Sequence, residues 1–161
     1  MNLETERLLL SEITLNDTES IFAIYSHPKV IEYYTDAPIA GEEDTINFIS
    51  RITAGNNLIF SIRLKEKPDD IIGDCGLHDW NDKTHTVEIG GSLLPHFWGK
   101  GIMTEAFNTI ICYAKTEMNV QAVMAKTNRY NRQAIRAIKK LGFTVVSMSE
   151  NEVMLSKRYA G

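Results

Sequence analysis

The chain has 161 residues, of which 43% are hydrophobic and 24% charged, and its formal net charge is −4. This composition excludes disordered and collagen-like classes, and the length predicts one domain over residues 1–161 with a substantial core. The charges form no block of one sign, so nucleic acid is not the expected partner. A mildly acidic surface instead favours a cationic amine.

Charged residues interrupt the first twenty positions, which therefore lack the apolar core of a signal peptide. The sequence contains no apolar run near the roughly eighteen residues that a membrane-spanning helix needs. Its two cysteines, Cys75 and Cys112, have neither metal-ligand spacing nor the pattern of a disulfide framework. We therefore expect a cytoplasmic protein with no membrane partner and no bound metal.

The first half of the chain predicts two helices and four strands. A buried strand is expected over residues 7–13, which contain three consecutive leucines. A helix capped by Asn16 or Asp17 then runs toward Pro28, and a second helix with an acidic first turn covers residues 41–55. Three strands follow, over residues 58–64, 71–78 and 84–94.

The second half changes to a helical rhythm. Apolar spacing predicts a long helix over residues 99–118, a strand over 120–127 and an amphipathic helix over 131–141 that stops at Gly142. A hairpin of strands 143–149 and 153–157 closes the chain. This order of elements indicates an α+β fold with a mixed sheet covered by helices.

The turn between the fourth predicted strand and the long helix has the features of an anion site. Gly99 and Gly101 bracket Lys100, and glycine permits positive φ angles and close approach of a ligand to the backbone. The first unpaired N–H groups of the helix would then face an anion such as a pyrophosphate. Taken alone, the pattern is equally compatible with a turn that binds nothing.

Two other phosphate motifs do not fit this turn. A Walker A motif would need glycine at Leu94 and serine or threonine at Gly101. The dinucleotide fingerprint would need a third glycine where Thr104 stands. Both nucleotide-binding classes are therefore excluded.

These segments resemble the GNAT superfamily of N-acetyltransferases, and within it the RimJ/RimL-like branch of ribosomal-protein-alanine N-acetyltransferases. The superfamily binds the coenzyme A pyrophosphate with Gln/Arg-x-x-Gly-x-Gly/Ala, and residues 96–101 read His-Phe-Trp-Gly-Lys-Gly. Thr-Glu-Arg-Leu at 5–8, Glu-Ile-Gly at 88–90, Thr-Glu-Ala at 104–106 and Leu-Gly-Phe at 141–143 follow the branch's order. His96 departs from the pattern's Gln or Arg, and Ala134 stands where serine is common.

The resemblance implies a GNAT fold, in which a mostly antiparallel sheet of six to seven strands has helices on both faces and splays apart between strands four and five. It also implies acetyl-CoA as co-substrate, with its pantetheine arm on the fourth strand, and a monomer or homodimer. The implied coenzyme contacts are Leu93, Leu94, His96, Trp98, Gly99, Lys100, Gly101, Ile102, Met103, Thr104, Asn131 and Arg136. Trp98 has a core position as its alternative role, and Arg136 has a place on a solvated basic face. Asn131 can be an N-cap in addition to contacting the coenzyme.

Two residues are candidates for proton transfer. Strand alternation places Glu88 on the face opposite Val87 and Ile89, and the resemblance implies a base acting through water. A solvated or ion-paired carboxylate is the alternative. Tyr130 is the candidate acid for the leaving thiolate, with packing as the alternative. His85 is expected in an exposed turn, with a position in the site as the alternative.

The expected acceptor is a primary amine that attacks acetyl-CoA directly in a ternary complex, possibly the α-amine of a protein. The alternatives are a polyamine or aminoglycoside, and a catalytically silent acyl-CoA-binding module. Residues 16–55 would form the acceptor groove, and the acidic residues that would suit a polycation are Glu32, Asp36, Glu42, Glu43 and Asp44.

Overall fold

The computed structural model describes residues 1–34 and 39–159 and contains one sheet of eight strands in these ranges. The strands are β1 (Asn2–Glu4), β2 (Leu8–Glu12), β3 (Leu58–Leu64), β4 (Lys67–Asn81), β5 (Thr86–Leu93), β6 (Ala122–Asn128), β7 (Thr144–Met148) and β8 (Glu152–Arg158). The seven predicted strands correspond to β2–β8. The prediction of six to seven strands missed β1, because its single apolar residue is flanked by two polar ones and three residues are too few to show an alternating pattern.

The described residues form five α-helices: α1 (Thr18–Tyr25), α2 (Pro28–Ile31), α3 (Glu42–Ile52), α4 (Ile102–Glu117) and α5 (Arg132–Lys140). Short 3-10 helices cover Leu15–Asp17 and Pro95–Phe97. Asp17 is the N-cap residue of α1, one of the two predicted positions, although no cap hydrogen bond of its side chain is found among the described residues. Thr14 caps the preceding 3-10 turn, and Asp17 completes its capping box. None of the helices in these ranges is long and apolar enough to cross a membrane.

The sheet has the order β1-β2-β3-β4-β5-β6-β8-β7, and its one parallel pair among the described strands is β5 with β6. Every other neighbouring pair is antiparallel. Antiparallel neighbours need only hairpins, whereas the parallel pair needs a crossover, which α4 provides. The sheet is therefore mixed and mostly antiparallel, as predicted.

Two apolar clusters cover the two faces of the sheet. The larger cluster packs α4, including Ala106 and Ile110, against buried residues of β2 to β6. The smaller cluster packs α1 and α3 onto the opposite face through Ile24, Phe48 and Ile59. The helices thus lie on both faces of the sheet, as predicted.

Candidate active site

The ladder between β5 and β6 stops halfway along β5. Thr86–Ile89 pair with Ala122–Ala125, and in the described sheet the pairing of the remaining β5 residues, 90–93, is with β4. On β6, residues 126–128 pair with β8. The two strands therefore splay apart from Gly90 onward, which leaves a length of β5 backbone free to bind a ligand.

Hydrogen bonds at both ends of β5 show which backbone groups face this opening. The N–H of Leu94 donates to Ile72 O of the preceding strand segment at 2.9 Å, whereas His85 O accepts from Gln121 N at 2.7 Å on the β6 side. Because alternate residues of a strand point their backbone groups to opposite neighbours, odd-numbered residues of β5 face β6. Gly91, which is exposed, and Leu93 therefore present their amide groups to the opening.

The predicted contact through Leu94 needs revision. Its N–H is already donated to Ile72 O, and its carbonyl accepts from Phe97 N at 2.9 Å. The Leu93 carbonyl accepts from the Trp98 indole Nε1 at 2.6 Å, so its N–H is the group left for a ligand. Gly91, which was not predicted from the sequence, presents a backbone N–H donor and a carbonyl acceptor to the same opening.

The glycine turn has the backbone that an anion site requires. Gly99 and Gly101 both have φ of +75°, a conformation that costs other residues roughly 1–2 kcal/mol. Gly101 is the N-cap of α4, and none of the described side chains caps this helix start. The first N–H groups of α4, those of Ile102, Met103 and Thr104, therefore lack intrahelical acceptors and point toward the turn.

An N-terminal arginine holds this turn in place. Arg7 Nη1 donates to Lys100 O at 3.0 Å, and Arg7 Nε donates to the carboxylate of Glu105 at 2.8 Å. Glu105 also accepts from the Arg7 backbone N–H at 3.0 Å and from the Thr5 hydroxyl. Although partial burial raises the pKa of Glu105, these hydrogen bonds lower it below its ordinary value. The motifs at residues 5–8 and 104–106 were both recognised in the sequence, but their contact was not predicted.

Glu88 lies beside the start of the opening and is ion-paired. Its carboxylate is 3.7 Å from Lys126 Nζ, the first β6 residue beyond the paired segment. Burial raises the pKa of Glu88 above its ordinary value, and the positive charge of Lys126 partly offsets the effect. The carboxylate is therefore a stronger base than a solvated glutamate.

Comparison with known proteins identifies this arrangement. The Acetyltransferase (GNAT) domain family matches residues 7–144, most of the chain. The chain belongs to the GNAT acetyltransferase family. An uncharacterized N-acetyltransferase of Bacillus licheniformis, p20, is 32% identical over 145 residues, covering 88% of this chain and 81% of the relative. N-acetyltransferase activity is therefore supported at the level of the family.

Solved structures of GNAT enzymes share the fold. A spermidine N-acetyltransferase from Vibrio cholerae, solved with CoA and spermine, has a TM-score of 0.84 at 16% identity, with 96% of each chain covered. The ribosomal-protein-S5-alanine acetyltransferase from Vibrio fischeri has a TM-score of 0.83 at 19% identity, covering 98% of this chain and 96% of that one. At these identities the likeness concerns the fold alone.

The helix after the splayed strands also carries predicted GNAT site residues. Asn131 Oδ1 accepts from Ala134 N at 3.2 Å, which confirms the predicted N-cap and leaves the amide NH₂ free to donate. Arg136 is exposed on the same helix, as are Arg132 and Lys139. His96 is exposed and packs edge-on against Phe97, and Lys100 Nζ lies 5.6 Å from the centre of the Phe97 ring.

The remaining predicted residues of this GNAT domain are dispersed. Tyr130 is 61% exposed and its ring contacts the Arg129 guanidinium, so it does not pack in the core. His85 lies in the turn before β5 with φ of +57°. Glu32, Glu42, Glu43 and Asp44 are exposed, and Asp36 lies outside the described residues. In the described ranges, no three His, Cys, Asp or Glu side chains are grouped to hold a metal.

Proposed function

We propose that residues 1–161 act as one domain that transfers an acetyl group from acetyl-CoA to a primary amine. The observation that carries this proposal is the separation of β5 from β6 next to the uncapped start of α4. Only the 3-10 turn Pro95–Phe97 and the glycine turn lie between the open strand and the helix. One extended ligand with an amide-containing arm and a pyrophosphate matches both groups of donors.

The pantetheine arm would lie along the open edge of β5. Its amides would hydrogen-bond to the backbone of Gly91 and to the N–H of Leu93, and the Trp98 side chain would form the wall beside them. The pyrophosphate would accept from backbone N–H groups of the glycine turn and of the first turn of α4. Asn131 would donate to the arm from α5, and Arg136 would meet the 3′-phosphate.

Transfer would proceed by direct attack of the amine on the thioester. The nitrogen bonds to the carbonyl carbon, the C–S bond breaks, and coenzyme A leaves as a thiolate. The protein orients the two substrates and polarises the carbonyl. Glu88 would receive the amine proton through water, and Tyr130 would protonate the thiolate.

The free energy of deprotonation favours an α-amine as acceptor. At pH 7, deprotonating a lysine-like amine costs about 4–5 kcal/mol, whereas an α-amine costs only about 1 kcal/mol. Glu88, a carboxylate that would act through water, suits the second case. This choice agrees with a RimJ/RimL-like substrate, a protein α-amine. The exposed Glu32 after α2 and the exposed acidic residues in the first turn of α3 favour a polyamine as the second candidate.

A thiol-release assay with acetyl-CoA, short peptides and spermidine tests the proposal, together with calorimetry for coenzyme A. Turnover of peptides supports the α-amine, and turnover confined to spermidine supports the polyamine. Coenzyme binding without turnover on a broad amine panel would support the silent acyl-CoA-binding module. Succinyl-CoA in a parallel reaction tests the choice of donor. A protein with no affinity for any CoA thioester would overturn the proposal.

A further inference from the structure

The face of the sheet under α1 and α3 carries a polar strip that the proposed mechanism uses only in part. The register pairs Asp74 with Ser92, Gly76 with Gly90, and His78 with Glu88. Side chains of directly paired residues share a face, so all six positions lie on one side of the sheet. The α1 phenol of Tyr25 contacts Asp74 at 2.8 and 2.9 Å, which fixes that side as the one under α1.

The two glycines create a slot in this strip, and the His78 imidazole lies over it. A Cβ atom built on Gly76 would be 3.2 Å from His78 Nε2, and one built on Gly90 would be 3.5 Å from it. A Cβ on Gly76 would also be 2.4 Å from Ile59 Cδ1, so a larger residue at this position would have to displace the Ile59 and His78 side chains. Gly90 is the first residue of β5 beyond its pairing with β6. The imidazole therefore lies where the splay begins.

The state of His78 suits a proton acceptor. Its side chain is half-buried, and none of the hydrogen bonds found among residues 1–34 and 39–159 engages either ring nitrogen. Burial lowers the pKa of His78 below its ordinary value, while the nearby charge of Asp79 raises it. The ring is therefore mainly neutral at pH 7, with an unshared nitrogen lone pair available.

The charged and titratable groups around His78 come from three strands and one helix. Its nearest charged neighbour along β4 is Asp79, and Glu88 is its partner on β5. The others near this face are Asp74 on β4, Lys126 on β6 and Tyr25 on α1. Lys126 is matched by Glu88, and Asp74 is matched by hydrogen bonds from Tyr25 and the Ser92 N–H.

We propose that His78 Nε2 takes the proton directly from the acceptor amine and passes it through water to Glu88. This inference rests on the proposed acetyl transfer. The amine nitrogen forms its bond to the thioester carbon and loses one proton to His78, and the C–S bond then breaks to release the thiolate. His78 returns to its neutral form when the proton moves to Glu88 and on to solvent. Gly76 and Gly90 leave the room that the imidazole occupies beside the splay.

The test uses His78→Gln, Glu88→Gln and the double variant in the thiol-release assay, with the best amine found for the wild type. We expect His78→Gln to lower kcat about 10²–10⁴-fold, with the Kd for coenzyme A unchanged. Because solvent deprotonates the amine at high pH, this deficit should shrink as the pH approaches about 9. If both residues lie on one path, the double variant should be little worse than His78→Gln.

His85→Asn is the matched control, because it removes a histidine from the turn at φ of +57°, which asparagine tolerates. It should leave kcat unchanged. His78→Ala with added imidazole is the second variant, and recovery of activity by imidazole supports the proposal. A kcat within about twofold of wild type in His78→Gln, or a deficit equal at all pH values, would overturn it. Failure of both His78 variants to fold would assign a structural role and would also overturn it.

These outcomes distinguish failure of the proposed acetyl transfer from failure of the proposed role of His78. A wild-type protein without coenzyme affinity, or without transfer to any amine, refutes the proposed function itself. An active wild type whose His78 variants keep their activity refutes only the role of His78. The Kd for coenzyme A, measured on every variant, shows which of the two has failed.

Discussion

The backbone conformation of Gly99 provides a sharp test of the anion turn. Its φ is +75°, and no atom of the described residues lies within 4 Å of the position that a Cβ would occupy. Gly99→Ala therefore creates no clash, and its cost is limited to the left-handed backbone, roughly 1–2 kcal/mol. In the free protein, the turn of Gly99→Ala can relax away from positive φ, because no described neighbouring atom opposes that movement. Ligand binding would restore the left-handed conformation at residue 99, so we expect its free-energy cost to appear as weaker binding. The Kd for coenzyme A should rise about 5–30-fold.

Isothermal titration calorimetry with coenzyme A measures this change, and two further variants make it specific. Gly55 has φ of +62° and also has nothing within 4 Å of its Cβ position, but it lies after α3, away from the turn. Gly55→Ala should lower the melting temperature by about 2–8 °C and leave the Kd unchanged. Gly99→Asn should lose less affinity than Gly99→Ala, because asparagine adopts the left-handed conformation more readily.

A Kd for Gly99→Ala within about twofold of the wild-type value would contradict this prediction. That outcome would mean that the ligand does not depend on the left-handed conformation at residue 99. An equal loss of affinity in Gly55→Ala would be equally damaging, because it would attribute the effect to general destabilisation.

Three other predictions concern Arg7, Tyr130 and Asp74. Arg7→Met removes the hydrogen-bond donor to Lys100 O, and the Arg7 side chain is 44% exposed. We therefore expect calorimetry to show only about a three- to tenfold rise in the Kd for coenzyme A. An unchanged Kd would contradict the role of Arg7. Tyr130→Phe should lower kcat about tenfold without changing KM for acetyl-CoA, and an unchanged kcat would remove Tyr130 from the mechanism. Burial raises the pKa of Asp74 from 3.8 to about 6, so the folded state holds this proton more tightly than the unfolded chain does. The resulting contribution to the free energy of unfolding is complete below about pH 4 and is lost as the pH rises through 6. In urea unfolding, Asp74→Asn should therefore gain up to about 3 kcal/mol of unfolding free energy relative to wild type over that range. A difference between the two proteins that stays constant with pH would contradict the pKa shift.

Periodic patterns predicted the regular elements well. The apolar spacing of α4, the acidic first turn of α3 and the Asn131 cap each depend on residues close together in the sequence. The elements that were missed are short or polar. The helix α2 has four residues, and its first turn depends on the His27 ring accepting from Lys29 N. The strand β4 begins at Lys67, four residues before the prediction, because its polar start has no apolar alternation.

The candidate site was predictable only where it is continuous in the chain. The glycine turn and the start of α4 could be recognised because a strand, two glycines and a helix follow one another. The contact of Arg7 with Glu105 could not be predicted, because 98 residues separate them and no sequence pattern indicates that the start of β2 lies beside α4. The same holds for His78 over Gly90, which depends on the register between β4 and β5. Alternation gives the face of each residue, but the register decides which residues become neighbours.

The splay itself explains why side chains are needed at this edge. Opening β5 from β6 leaves residues 90–93 paired with β4 alone, so in the described sheet the backbone groups that face the opening have no partner strand. The Trp98 indole replaces one lost partner by donating to Leu93 O, and the buried Asp74 carboxylate accepts from the Ser92 N–H at 3.0 Å. Asp74 is in turn fixed by the Tyr25 phenol of α1. The strand that would bind the coenzyme is therefore positioned partly by the helix that would bind the acceptor, so the geometry of one substrate site depends on the other.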